Sequence, residues 1–320
     1  MKILVTGGTG LVGYGFQDVA SNYVYHDFTF LSSKACDLLD YNSTLSWVES
    51  QKPDVVIHLA ANVGGLFKNM TKKVSMFQDN IEMNNNILKA CAACGVKRFV
   101  GMLSTCIFPD KTTYPISEDM VHDGPPHSSN DSYAYAKRML DVQCKAYRDQ
   151  YGLEYNCIIP TNIYGENDNY NLEDSHVIPG LIHKAYIAAK TNKPFVVYGT
   201  GKPLRQFIYA NDLALGILET LWYSESNIII SPTEEHSIGS IANRIAEAFD
   251  IVDLLEFDDT KSDGQFKKTA DNSKFKELIA ASPTAIETKS KSKSFNFTSI
   301  DSGINITVKY FKDHIDTVRT

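Results

Sequence analysis

The chain has 320 residues, of which 43% are hydrophobic, and a formal net charge of −7 at pH 7. This length accommodates one large or two unequal domains, and the composition is that of a soluble globular protein. The acidic balance argues against a nucleic-acid partner, and no apolar run approaches the ~18 residues of a membrane span. Because the chain opens directly on an apolar strand pattern, we expect no signal peptide, a cytoplasmic location and reduced cysteines.

A short apolar run, 2–5, predicts a buried parallel strand and leads directly into a glycine-rich segment. Glycines at this spacing permit a tight turn, close approach of the backbone to a pyrophosphate and close helix–strand packing. The helix predicted to follow offers free N–H groups and its positive dipole end to phosphate. The sequence therefore predicts dinucleotide contacts at Gly7, Thr9, Gly10, Leu11, Val12 and Gly13.

The second predicted strand, 28–31, lacks an acidic residue at its end. A carboxylate there would bind the 2′-hydroxyl of NAD, but the chain has Ser32, Ser33 and Lys34. Two hydroxyls and a cation suit a 2′-phosphate, so we expect NADP(H), bound through Ser33 and Lys34. A solvated turn with an incidental lysine is the alternative interpretation.

Two further groups of residues are candidate cofactor contacts. Asp37 and Leu38 follow the second strand and could contact adenine. The third strand pattern, 54–60, ends in Leu59, Ala60 and Ala61, where small side chains would let the cofactor lie across the strand end.

Strand and helix patterns alternate through about residue 160. The predicted strands are 2–5, 28–31, 54–60, 97–103 and 153–159, and the predicted helices lie near 11–22, 40–51, 71–94 and 131–150. This alternation predicts the α/β class, with a Rossmann-type doubly wound parallel sheet.

The second half of the chain is less regular. Its patterns predict strands at 195–198 and 228–230 and helices at 211–223 and 237–249. We therefore expect a smaller, discontinuous α/β substrate domain made of 166–205 and 232–320, with the nucleotide domain made of 1–165 and 206–231. The Lys/Ser-rich stretch 281–295 is low in apolar residues and predicts a flexible surface loop.

Tyr133 and Lys137 lie four residues apart in a predicted helix, so their side chains share one face. A cation beside a phenol favours the phenolate and lowers the tyrosine pKa, which would make Tyr133 useful as an acid or base. On spacing alone, an amphipathic helix with a core tyrosine and a surface lysine is the commoner explanation.

Three more segments extend the pattern: Leu103–Pro109, Pro160–Gly165 and Ser175–Pro179. With the glycine-rich start and the Tyr-x-x-x-Lys pair, the chain resembles the extended short-chain dehydrogenase/reductase family from Met1 to about Asp316. More narrowly, it is similar to the members that convert GDP-4-keto-6-deoxy-D-mannose to GDP-L-fucose by 3,5-epimerisation and NADPH-dependent 4-reduction. The segment Val63-Gly64-Gly65-Leu66-Phe67 also carries this resemblance.

The resemblance implies a role for each matching residue. It gives the dehydrogenase triad as Ser104, Tyr133 and Lys137, and the epimerisation base and acid as Cys106 and His176. It implies further cofactor contacts at Lys137, Pro160, Asn162, Ile163 and His176. It implies nucleotide-sugar contacts at Lys184, Tyr198, Arg205 and Lys268.

The chain departs from the resemblance at two of these positions. Some members carry Arg and Trp where this chain has Lys184 and Tyr198. A lysine holds phosphate as a point charge without bidentate geometry, so we expect a different substrate affinity but the same substrate class. Members commonly form homodimers through a four-helix interface, which here would use the helices near 71–94 and 131–150.

Cys106 and His176 suit proton transfer at carbons next to a ketone. Their ordinary pKa values, ~8.5 and ~6.5, bracket the working range. Cys106 lies two residues beyond Ser104 at a predicted strand end, so strand alternation predicts that both side chains lie on the same side. Taken alone, a buried small hydrophobe and a structural histidine are the commoner explanations.

Two other functions remain open at this stage. An epimerase such as a UDP-hexose 4-epimerase would hold NAD tightly and return the hydride. Net NADPH consumption therefore separates it from the epimerase and reductase that the resemblance implies. A catalytically silent dinucleotide-binding protein is the other alternative. No metal site is expected, because the C-x-x-C at Cys91 and Cys94 looks like a helix end.

Overall fold

The computed structural model describes residues 1–263, 265–281 and 295–320. Most of the predicted loop at 281–295 therefore lies outside the described residues. The strands are β1 (Lys2–Thr6), β2 (Asp27–Leu31), β3 (Val55–His58), β4 (Arg98–Met102), β5 (Glu154–Pro160), β6 (Asn162–Tyr164), β7 (Phe195–Tyr198), β8 (Leu204–Arg205), β9 (Phe207–Tyr209), β10 (Ile228–Ile230), β11 (His236–Ser237) and β12 (Leu255–Asp258). The α-helices are α1 (Leu11–Ala20), α2 (Tyr41–Gln51), α3 (Leu66–Thr71), α4 (Lys73–Ala93), α5 (Asp131–Tyr151), α6 (Val177–Thr191), α7 (Ala210–Glu219), α8 (Ile238–Ala248), α9 (Ser273–Ala281) and α10 (Ile300–Asp313).

Six strands form one sheet in the order β10-β5-β4-β3-β1-β2. Every neighbouring pair in it is parallel, with Thr6 opposite His58 and Met102 opposite Ile158. The carboxyl ends of all six strands therefore meet at one edge of the sheet, where α/β proteins bind their ligands. The predicted fold class is confirmed.

Helices cover both faces of this sheet. On one face α2, α4 and α5 pack against Leu4, Val56 and Phe99, and on the other α1 and α7 pack against neighbouring strand residues such as Ile3 and Val55. Successive strand side chains point to opposite faces, so strands buried on both sides read as continuous apolar runs. This explains why these strands were predictable from sequence.

A second core lies in the latter half of the chain. It is built from α6, α8 and α10 with β7, and its buried members include Ile182, Phe195, Ile245 and Phe311. By contrast, α9 returns to the large sheet, where Phe275 packs beside β10.

The structure differs from the predicted elements in a few places. The helix predicted near 71–94 corresponds to α4, whereas the short helix α3 before it was not predicted. The strand predicted over 54–60 ends at His58. Helix α6 was not predicted, because Pro179 and Gly180 interrupt the helical pattern of its first turn. Among the helices within the described ranges, none is long and apolar enough to cross a membrane.

Candidate functional site

The glycine-rich turn between β1 and α1 forms a cradle that a side chain would fill. Gly7 has φ of +68°, and a Cβ there would lie 2.8 Å from the Ala60 nitrogen. A Cβ on Gly13 would lie 2.4 Å from the Gly7 carbonyl oxygen. Helix α1 has no side-chain cap at Gly10, so its first-turn N–H groups are left for an anionic ligand. These features fit the pyrophosphate of a dinucleotide.

The turn that follows β2 carries the residues predicted to bind the 2′-phosphate. Ser33, Lys34 and Asp37 are exposed, immediately beyond the strand end. Leu38 is buried in the core, and its carbonyl oxygen accepts a hydrogen bond of 2.9 Å from the Asn86 amide. Ser33 and Lys34 are therefore accessible to a phosphate at this edge, whereas the Leu38 side chain is mainly a core residue.

A buried hydrogen-bonded chain fixes the end of β3 beside the glycine turn. The Ala60 N–H donates to Thr6 Oγ1 at 3.3 Å, Thr6 Oγ1 lies 2.7 Å from His58 Nδ1, and His58 Nε2 lies 3.0 Å from Asn84 Oδ1. Burial, reinforced by the charge of Lys137, lowers the pKa of His58 to about 3. The imidazole is thus a neutral structural link, and it holds the predicted cofactor contacts at 59–61 against Gly7.

The other predicted cofactor contacts lie along the same edge. Pro160 is the last residue of β5, and Asn162 and Ile163 belong to β6, which pairs with β9. The Asn162 amide donates to the Gln206 carbonyl oxygen at 2.9 Å. Pro160 therefore lies at the carboxyl edge of the large sheet, and Asn162 and Ile163 follow it in a short separate sheet.

Tyr133 and Lys137 lie on the first turns of α5, as predicted. The Lys137 ammonium donates to the Met102 carbonyl oxygen at 2.9 Å and lies 5.8 Å from the centre of the Tyr133 ring. Burial lowers the pKa of Lys137 to about 8, while the thiols of Cys106 and Cys157 act in the opposite direction. The lysine is thus anchored to the end of β4.

The expected lowering of the Tyr133 pKa is wrong for the protein alone. Burial raises the pKa of Tyr133, and the nearby Cys106 adds to the rise. Desolvation disfavours the phenolate more than a cation at this distance favours it. The Tyr133 hydroxyl makes no hydrogen bond to the described part of the chain, so it is left to contact a ligand as a proton donor.

Ser104 and Cys106 are close together, but not for the reason that the sequence suggested. Residues Thr105–Ile107 form a 3₁₀ turn rather than a continued strand, so strand alternation does not apply. Instead, Ser104 caps this turn by accepting a hydrogen bond of 3.4 Å from the Cys106 N–H. Burial raises the pKa of the Cys106 thiol, while Lys268, a hydrogen bond with Ser104, and Lys137 lower it.

The predicted nucleotide-sugar residues lie in different surroundings: Lys268 lies near Cys106, and Lys184 lies against Tyr198. Lys268 is within electrostatic reach of Cys106, and burial lowers the pKa of its ammonium. Within the described ranges that ammonium has no hydrogen-bond or ion-pair partner. Lys184 stacks on Tyr198, with its Nζ 3.7 Å from the ring centre, and Tyr198 is 59% exposed.

Arg205 is held by backbone carbonyl oxygens. Its guanidinium donates to Leu204 at 2.7 Å and to Gln265 at 2.6 Å. Burial lowers the pKa of Arg205. Like Lys268, Arg205 therefore offers a partly buried cation whose charge is not neutralised by a carboxylate contact within the described residues.

His176 is an exposed residue at the N-cap of α6, where its carbonyl oxygen accepts from the Gly180 N–H at 3.0 Å. In the described part of the chain, no hydrogen bond or ion pair joins it to Cys106. Asp168, which sequence reasoning missed, is 4% exposed, and its Oδ2 has no hydrogen-bond partner among the described residues. Burial raises the pKa of Asp168, and the charge of His176 lowers it. In sequence, this aspartate looks like an ordinary turn residue.

The described residues contain no group of three or more His, Cys, Asp and Glu side chains that could hold a metal ion.

A parallel sheet with a glycine turn at its carboxyl edge and a Tyr-x-x-x-Lys pair beside it defines a dinucleotide-dependent enzyme of the extended short-chain dehydrogenase/reductase class. The chain belongs to the NAD dependent epimerase/dehydratase family, whose model matches residues 3–228.

The chain is similar over nearly its whole length to proteins named GDP-L-fucose synthase or synthetase. The chain is 49% identical to a GDP-L-fucose synthase of Dictyostelium discoideum over 99% of this chain and 97% of that protein. It is 44% identical to a probable GDP-L-fucose synthase of Drosophila melanogaster over 99% of both chains. A crystal structure of a GDP-L-fucose synthetase from Naegleria fowleri bound to NADP matches with a TM-score of 0.90 and 44% identity, covering 100% of this chain and 95% of that one.

Proposed function

We propose that this protein is an epimerase and reductase that converts GDP-4-keto-6-deoxy-D-mannose to GDP-L-fucose with NADPH. The observation that carries the proposal is the grouping of Cys106 with Tyr133, Lys137 and Lys268 at the end of β4. A reductase alone needs the tyrosine and lysine but has no use for a thiol beside a cation. The near full-length similarity to GDP-L-fucose synthases supports the same assignment.

Epimerisation requires proton transfer at C3 and C5, which are acidic because they flank the C4 carbonyl. Each inversion removes a proton from one face of the sugar and returns one to the other. We assign Cys106 as the base, since Lys268 favours its thiolate, and His176 as the acid. The hydroxyls of Ser104 and Tyr133 would hold the enolate oxygen, because fixed donors stabilise developing negative charge.

Reduction follows at C4. When bound, NADPH supplies the hydride. Tyr133, which carries its proton at neutral pH, donates that proton to the new C4 alkoxide. Lys137 stays fixed to the Met102 carbonyl oxygen and orients the nicotinamide ribose.

For the nucleotide end of the substrate, we propose stacking of guanine on the exposed Tyr198 ring and phosphate contacts from Lys184 and Arg205. Tyr198 and Lys184 are already in contact, so this part of the site needs little rearrangement. Lys268 would sit between the diphosphate and the thiol.

The direct test is incubation with GDP-4-keto-6-deoxymannose and NADPH, with identification of the product sugar by NMR. GDP-L-fucose with one NADPH oxidised per molecule is expected. A UDP-hexose 4-epimerase would interconvert UDP-sugars with no net NADPH oxidation, and a silent binding protein would bind NADPH tightly without turning over any 4-keto sugar.

Cofactor choice gives a first prediction. Lys34 and Ser33 are proposed to hold the 2′-phosphate, so the wild type should have a higher kcat/KM with NADPH than with NADH. Replacing Lys34 with Glu should reduce this preference by about tenfold or more, because a charged hydrogen bond of ~1.5–3 kcal/mol becomes a repulsion.

Lys97→Glu is a matched control for Lys34→Glu. It makes the same charge change at an exposed position before β4, at the opposite edge of the sheet. Equal use of NADH by the wild type, or an equal effect of the control, would contradict the assignment of Lys34.

Lys268 gives a prediction on pH dependence. Burial raises the pKa of Cys106 and the Lys268 cation opposes that rise, so Lys268→Met should raise the pKa further and leave less thiolate at any given pH. In a plot of the rate of solvent proton exchange at C3 and C5 against pH, the rising limb should therefore move to higher pH. In Lys268→Arg, that limb should stay near the wild-type position. Exchange measured at saturating substrate separates this shift from weaker binding, and an unmoved limb in Lys268→Met would rule out the electrostatic role.

We also propose the domain division 1–165 with 206–231 and 166–205 with 232–320, which the separate second core supports, although α9 packs on the first sheet. The assembly we propose is a homodimer through α4 and α5, whose exposed apolar side chains include Val74, Phe77, Tyr135 and Val142. A cytoplasmic location completes the proposal, since free thiols persist in a reducing compartment.

A further inference from the structure

The segment Val63-Gly64-Gly65-Leu66-Phe67 has no role in the mechanism described so far. It connects the cofactor-facing end of β3 to α3 and begins one residue after Asn62. Gly65 is buried, while Val63, Leu66 and Phe67 are exposed.

Two buried amides hold the backbone of this segment. Asn80 of α4 is 0% exposed; its Oδ1 accepts from the Asn62 N–H at 3.0 Å and its Nδ2 donates to the Asn62 carbonyl oxygen at 2.9 Å. The Asn69 amide donates to the carbonyl oxygens of Gly64 and Gly65 at 2.8 and 3.0 Å. Since buried polar groups hold their partners firmly, the backbone on both sides of Gly65 is fixed.

Gly65 in turn touches the segment that precedes His176. Its N–H donates to the Asp174 carbonyl oxygen at 2.8 Å. A Cβ on Gly65 would lie 2.7 Å from the Ser175 carbonyl oxygen and 3.1 Å from that of Asp174. The φ of Gly65 is −65°, so other residues could adopt this backbone conformation and the restriction is purely one of space.

Movement at Ser175 would be passed directly to His176. The Ser175 N–H donates to the Asn171 carbonyl oxygen at 2.9 Å, and the Ser175 hydroxyl packs so closely on α6 that a Cβ on Gly180 would lie 2.6 Å from it. His176 follows as the N-cap of α6. Its peptide is therefore held between Gly65 on one side and the helix on the other.

We propose that Gly65 is a positioning residue for His176, and that the absence of a side chain at Gly65 sets where the histidine presents its proton to the sugar. The inference rests on the proposed epimerase function. A shift of about 1 Å at a catalytic group can cost ~10²-fold in rate. Displacing Ser175 should therefore impair epimerisation much more than NADPH binding or reduction, because the glycine turn, Tyr133 and Lys137 lie on other elements.

The test compares Gly65→Ala with Gly64→Ala. The three atoms nearest to a Cβ on Gly64 all belong to the side chain of Lys68, with its Cδ at 2.4 Å. This control therefore adds the same methyl group one residue earlier, against a side chain that can move. Each variant would be incubated with GDP-4-keto-6-deoxymannose and NADPH in D₂O, with deuterium at C3 and C5 and the product sugars measured by NMR. NADPH binding and thermal unfolding report on the integrity of the fold.

We expect Gly65→Ala to lower deuterium incorporation about 10–100-fold, with NADPH affinity within about twofold of wild type. Its remaining product should shift towards the unepimerised 6-deoxy sugar. Gly64→Ala should resemble wild type. Incorporation at the wild-type rate in Gly65→Ala, or equal losses of exchange and reduction with an unchanged product ratio, would overturn the proposal.

Two further measurements keep the test decisive. If Gly65→Ala does not fold, Asn80→Asp, which keeps the acceptor for the Asn62 N–H but loses the donor, should give the same selective loss in weaker form; its absence would overturn the proposal. In ¹³C-histidine NMR, with the His176 signal assigned from His176→Asn, Gly65→Ala should shift that signal and Gly64→Ala should not. This readout needs no turnover, so an inactive wild type would refute the proposed function while an unmoved signal would refute the positioning role.

Discussion

Cys106→Ala should nearly abolish the incorporation of solvent deuterium at C3 and C5, with a fall of about 10²–10⁴-fold, the usual contribution of a general acid or base. The thiol is the proposed base, and Lys268, Ser104 and Lys137 favour its thiolate against the opposing effect of burial. With Tyr133 and Lys137 intact, the variant should still slowly reduce the unepimerised ketone. The measurement is NMR of the sugar after turnover in D₂O.

The matched comparison for Cys106→Ala is His176→Asn. It should also impair exchange strongly, because the proton must be returned from the other face. If Cys106→Ala exchanges at the wild-type rate, the thiol only packs against the first core, which it does contact, and another base must act.

Tyr133→Phe should abolish net NADPH oxidation, with a loss of about 10²–10⁴-fold. The variant removes the proton that the C4 alkoxide receives, while the phenyl ring keeps the packing on α5. NADPH binding should be nearly unchanged, since the glycine turn and Lys137 are intact. Exchange at C3 and C5 should survive in part, because Cys106 and His176 remain.

Tyr135→Phe is the control for Tyr133→Phe. Tyr135 lies on the same helix two residues further on, is 39% exposed and faces away from the buried site. Full NADPH oxidation by Tyr133→Phe would remove this hydroxyl from the mechanism. A similar loss in the Tyr135 variant would indicate damage to α5 or to the proposed dimer interface rather than lost chemistry.

Local patterns accounted for much of the fold and for part of the candidate site. The glycine turn and the Tyr133/Lys137 pair could be predicted because each lies within one short segment whose geometry its own residues determine. The buried parallel strands could be predicted because both faces are apolar.

Contacts between distant segments could not be predicted in the same way. Lys268 and Cys106 are far apart in the chain, and only the fold brings them within electrostatic reach. The hydrogen bonds of Asn80 to Asn62 are made by residues that look like ordinary polar positions of a helix and a loop. The Tyr133 pKa was mispredicted because sequence spacing conveys the nearby cation but not the desolvation around it.

The second core has a consequence for synthesis on the ribosome. It brings α6 together with α10, whose buried residue Phe311 contacts Tyr186 and is synthesised after every strand of the large sheet. The large sheet needs nothing beyond β10 for its own strands, so it can assemble while translation continues. The part of α6 that α10 covers, including Tyr186 beside Phe311, stays exposed until α10 has also been synthesised. During that interval the dinucleotide end of the enzyme can be in place while the sugar end is still exposed to chaperones and proteases.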